Sequence, residues 1–108
     1  MLRLRLAVPL VAALFMSACT PCKDACRVEA RQFEDCLGAW GMEWADVAAI
    51  DRVDYRITCV GDVDVWMDSL SAEARADERQ TCQAFVDDLR GETDCDAAWE
   101  ALVGYGAL

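Results

Sequence analysis

The chain has 108 residues, seven of them Cys and none His, and its ten Lys and Arg against twenty Asp and Glu give a formal charge of −10. That length holds a single small domain, and the acidity repels nucleic acid and anionic headgroups. The lack of imidazole removes the commonest general base, and an odd cysteine count leaves one thiol over from any full pairing.

In chain order, the first segment reads as an export signal. Arg3 and Arg5 make a short basic start, Leu6 to Met16 is an apolar run, and Met16-Ser17-Ala18-Cys19 follows. The run is eleven residues and is interrupted by Pro9, well short of the roughly 20 that a helix needs to cross a bilayer. Cleavage at an ordinary A-x-A-like site would place bulky Met16 where a small residue is wanted. Met16 to Cys19 resembles the lipobox of bacterial lipoproteins, with Met16 standing where Leu is usual. The resemblance implies that residues 1–18 are removed and that residues 19–108 form the mature, cysteine-rich helical domain. It also implies a diacylglycerol and an amide-linked acyl chain of the palmitate type on Cys19, so the membrane is reached through an N-terminal lipid. Two or more acyl chains anchor a protein stably. Thr20 follows Cys19, where an Asp would imply inner-membrane retention, so the implied address is the bacterial cell envelope, at the outer membrane. The mature chain keeps eight Lys and Arg against twenty acids, a charge of −12.

Thr20 and Pro21 suit a helix start, Thr as N-cap and Pro at the first helical position, with Asp24 in the first turn. Cys22, Cys26, Ala30, Phe33, Leu37 and Trp40 then recur at three and four, with Cys36 beside them, which predicts one buried helical face. Gly38 and Gly41 end it, and Gly41 to Ile50 is a connector with room for a short helical turn around Trp44 and Val47. A second helix is expected from about Asp51. Val53, Ile57, Val60, Val63 or Asp64, and Met67 lie along one side, and Cys59, Val63, Trp66 and Leu70 along the next. Two such stripes predict the most buried helix of the chain, with Gly61 as its weak point. A strand over Tyr55 to Val60, rich in β-branched residues, is the alternative. Ser71, with Glu73 close behind, starts a third helix to about Arg90 with Cys82, Phe85, Val86 and Leu89 inward, and Gly91 stops it. Thr93 or Asp94 caps a last helix over Cys95 to Val103, contributing Ala98, Trp99 and Leu102.

The expected fold class is therefore all-α, a small three- to four-helix disulfide-stapled bundle. Seven positions repeat at an offset of 23 residues, from Arg52, Asp54, Arg56, Thr58, Cys59, Val63 and Asp64 to Arg75, Asp77, Arg79, Thr81, Cys82, Val86 and Asp87. Either a duplicated helix or the narrow vocabulary of amphipathic helices accounts for the match.

An exported chain meets an oxidising compartment, where Cys22, Cys26, Cys36, Cys59, Cys82 and Cys95 read as a disulfide framework. Cys59 and Cys82 lie equally far from the predicted turn at Leu70 and Ser71, so they either bridge each other or both reach the first helix. The preferred pairing sends them to Cys22 and Cys26, in either order, and leaves Cys36 for Cys95. The rival chemistry is a thiolate site for a soft metal such as Cu(I) on Cys22 and Cys26, although no His supplies a third ligand. Asp62, Asp64 and Asp68 lack the glycine turn and distal Glu of an EF-hand calcium loop. Ser69 and Ser71 have no evident base, and Asp87 and Asp88 are adjacent and point apart on a helix. No catalytic, cofactor-binding or metal residue is assigned, and the expected role is that of a non-enzymatic interaction or structural module with an envelope protein as partner. Trp44, in the connector and off the apolar stripes, is the candidate binding anchor.

Overall fold

The computed structural model describes residues 21–108, so Thr20, Cys19 and the signal-like segment lie outside the described residues. Four α-helices and one 3-10 turn make up this part, with no strand among the described residues: α1 (Pro21–Cys36), the turn Trp44–Val47, α2 (Arg52–Ser69), α3 (Ala72–Leu89) and α4 (Cys95–Gly104). The all-α, disulfide-stapled bundle is what forms, and Tyr55 to Val60 is helical rather than extended.

The helix boundaries follow from local chemistry. The side chains of Asp51, Ser71 and Asp94 accept hydrogen bonds from the backbone N–H groups of Asp54, Ala74 and Asp96, capping α2, α3 and α4 in turn. Glu43 and Asp46 form a reciprocal capping box at the 3-10 turn. α1 ends where the Met42 N–H reaches back to the Leu37 carbonyl at 2.9 Å across Gly41. Gly41 has φ +67, a left-handed geometry that glycine adopts without a Cβ penalty.

α1 is the hub. Pro21, Cys22, Cys26, Ala30, Gln32, Phe33 and Cys36 are all buried along it, and most helix–helix packing pairs it with α2 and α3. α2 runs antiparallel to α1, as the ion pairs Lys23–Asp64 (3.5 Å) and Arg52–Glu34 (3.1 Å) at its two ends require. α3 runs parallel to α1, with Cys82 bridged to Cys22 and the Leu89 carbonyl bound by Gln32. The core proper is Phe33, Leu37, Phe85, Leu89, Ala98 and Leu102. Edge-to-face contacts of Phe33 with Tyr55, Trp40 and Trp44 extend it at ring separations of 4.9, 6.4 and 6.4 Å.

The structure corrects one expectation. α2 is not the most buried helix, since none of its residues is buried, and Val53, Ile57, Val65 and Trp66 are exposed. Its apolar residues are spread around the helix, and the bridge at Cys59 turns one line of them, Tyr55, Cys59, Val63 and Met67, towards α1. The other line is left in solvent.

Candidate functional site

The cysteines are accounted for first. Cys22 bridges Cys82, Cys26 bridges Cys59, and Cys36 bridges Cys95, so α1 is stapled once to each of the other three helices. The preferred pairing is the one seen, and the structure settles its open order. Cys22 and Cys26 sit one turn apart on the same face of α1 and reach different helices, because α2 and α3 approach that face from different sides. Both sulfurs are engaged, so a thiolate site on this pair would require reduction first. The aspartates of α2 likewise do not converge: Asp64 is drawn to Lys23, and no group of three Cys, Asp or Glu suited to a metal occurs among the described residues.

Trp44, the candidate anchor, packs partly against the core. Its ring meets Phe33 edge-on and lies tilted 6.4 Å from Tyr55, half-buried against the core. The connector folds back on the bundle because its 3-10 turn carries Trp44 and Val47 inward together. Trp40 is held similarly, its indole N–H donating to the Cys95 carbonyl at 2.9 Å while the ring packs on Trp99 at 5.4 Å. The tryptophan most open to solvent is Trp66, 54% exposed against 39% for Trp99, although periodicity places Trp66 on an inward stripe. It rims an apolar hollow of about 350 Å³ between α2 and the 3-10 turn, with Val47, Tyr55 and Val63 among its walls.

The larger concavity is electrostatic. A groove of about 490 Å³ over the outer side of α1 is lined by Arg27, Arg31, Arg52, Arg56 and Arg90, with Val28, Ala30 and Val53 as apolar wall. Five of the eight cations of residues 19–108 thus gather in one place, on a segment whose eight cations and twenty acids leave it strongly negative. The local reason is helical: Arg27 and Arg31 are i and i+4 on α1, as are Arg52 and Arg56 on α2. The antiparallel register lays one pair beside the other, and the C-cap of α3 adds Arg90. Arg27 pairs with Asp24 at 2.8 Å, Arg31 with Asp35 at 4.0 Å and Arg52 with Glu34 at 3.1 Å. Arg56 and Arg90 make no ion pair among the described residues. Beneath the groove lies Gln32, only 3% exposed, whose amide donates to the Leu89 and Glu92 carbonyls at 2.8 and 2.9 Å. It ties the end of α3 to α1 and satisfies carbonyls that the helix terminus leaves over. Neither the groove nor Gln32 was assigned from sequence, where the only available sign was the paired i, i+4 arginines.

Two titrations are displaced. Burial pushes the Glu29 carboxyl up from 4.5 to about 7. The Tyr105 hydroxyl is raised chiefly by its hydrogen bond to Asp88. No helix of the described residues is long and apolar enough to cross a membrane. Comparison with known proteins finds no matching family model, no matching curated protein and no matching solved structure.

Proposed function

We propose that the protein is a lipid-anchored, non-enzymatic module of the bacterial cell envelope that acts by binding or by structural support. The observation carrying this reading is the cysteine balance. Three bridges use all six cysteines of residues 21–108, and the seventh in the sequence, Cys19, ends the lipobox-like Met16-Ser17-Ala18-Cys19. Persistent bridges of this kind belong to an oxidising compartment, as an exported protein requires. α1 begins at Pro21, two residues after Cys19, so a lipid there would be joined almost directly to the stapled hub. Such an attachment holds the bundle close to the membrane, with an envelope protein as its accessible partner.

Mass spectrometry of the protein purified from bacterial membranes, before and after reduction, tests the reading. The expected mass is that of residues 19–108 plus a diacylglycerol and an acyl chain, with two hydrogens gained per bridge on reduction. A mature chain that begins elsewhere, or an unmodified Cys19, overturns the anchor. Two free thiols protected by Cu(I) would instead support metal handling by Cys22 and Cys26.

A further inference from the structure

The arginine groove has no part in the anchor, and what is inferred from it holds whether or not Cys19 is acylated. We infer that the groove formed by Arg27, Arg31, Arg52, Arg56 and Arg90 is a binding site for a phosphate-bearing organic anion. Lys23, the one lysine of residues 19–108, lies outside it, and all five cations are guanidiniums. A guanidinium presents a planar fork that meets two phosphate oxygens at once, which a lysine ammonium cannot do.

The charge balance favours an added anion. Arg56 and Arg90 carry no carboxylate partner among the described residues, so the groove keeps two uncompensated positive charges even when the three existing ion pairs are closed. Two of those pairs are exposed, with the Asp35 and Glu34 carboxylates more than half accessible, while Asp24 on the groove wall is 30% accessible. Pairs of this kind contribute little and are readily exchanged for a better acceptor. A volume of about 490 Å³ exceeds what one phosphate fills, and Val28 and Val53 offer apolar contact to a carbon skeleton. The net charge of the rest of the molecule repels anions, so nonspecific attraction does not explain any binding seen.

Calorimetric titration of the oxidised, detergent-purified full chain with sodium pyrophosphate at low ionic strength is the test. Saturable binding is expected, weakened about tenfold by Arg56→Ala and about tenfold by Arg90→Ala, each losing a charge-assisted pair of hydrogen bonds. Arg56→Lys keeps the charge and loses the fork, and falls between. Arg79→Ala, on α3 outside the groove, leaves binding unchanged, and circular dichroism with a bridge count certifies each variant as folded. No binding by the parent chain, equal binding by the folded Arg56→Ala and Arg90→Ala variants, or binding of a polyglutamate peptide in place of pyrophosphate overturns the inference. Glycerol 3-phosphate and the water-soluble dihexanoylphosphatidylglycerol then separate the sources. Preference for the first supports the inference with a soluble phosphate ester as ligand, and preference for the second supports it with a lipid headgroup.

Discussion

Glu29 shows how one side chain imposes a pH dependence on the whole bundle. It shares the inner side of α1 with buried Cys26 and Phe33 and takes part in none of the ion pairs seen among the described residues. Burial penalises its charged form and lifts its pKa from 4.5 to about 7. The folded chain therefore holds a proton that the unfolded chain releases, between those two values. Stability from this group is full below about pH 4.5 and is lost as the pH rises through 7. The loss is about 2 kcal/mol after allowance for partial exposure. Urea unfolding at pH 5 and pH 8 should give a higher midpoint at the lower pH, and Glu29→Gln should shrink that difference while stabilising the protein at pH 8. An unchanged pH difference in Glu29→Gln would assign the effect to the remaining acids.

Among the α-helices, α2 is the one least secured by burial, and two glycines, one within it and one before the connector that leads to it, act in opposite senses. Gly61 lies inside α2 with nothing within 4 Å of where a Cβ would stand. Gly61→Ala should therefore stabilise the protein by about 0.5–1 kcal/mol through helix propensity alone. Gly41 also faces open space, but its φ of +67 is strained for any L side chain. Gly41→Ala should cost about 1 kcal/mol and loosen the turn that brings Trp44 onto Phe33. Thermal unfolding followed by tryptophan fluorescence reads both changes, and the two midpoints should move in opposite directions. The 23-residue repeat places Cys59 and Cys82 alike, each bridged to α1, but not its first arginines. Arg52 and Arg75 match in sequence, yet Arg52 pairs with Glu34 on α1, whereas Arg75 donates to the Met67 and Leu70 carbonyls and closes the end of α2.

For the molecule as a whole, the staples carry much of the stability. The bridges span 60, 33 and 59 residues, and each long loop removed from the unfolded ensemble contributes about 2–5 kcal/mol. A small domain has only about 5–15 kcal/mol in total, so dithiothreitol should unfold this one without denaturant. Loss of the far-ultraviolet helical signal on reduction checks this, and retained helicity would place the stability in the core instead. Replacing only Cys36 and Cys95 with Ser should detach α4 first, red-shifting the emission of Trp40 and Trp99, which face each other between the hub and α4.

Local chemistry made most of the fold legible from the chain. The caps Asp51, Ser71 and Asp94, the stop at Gly41 and the cysteine-bearing stripe of α1 each depend on neighbours within about a turn, so spacing alone exposes them. The even cysteine set and its division between α1 and the other helices were legible for the same reason. The tertiary structure alone decided the rest. Cys59 and Cys82 are equidistant from the turn, yet they land on Cys26 and Cys22, four residues apart along α1, so the α2–α3 hairpin is skewed by about one helical turn, ~6 Å. That skew and the rotation of α2 about its bridge exposed Trp66, buried half of Trp44 and set two arginine pairs from separate helices side by side. Periodicity fixes which residues share a face of one helix. Which faces meet is settled only when all the helices pack at once, and the candidate site of this protein arises at that step.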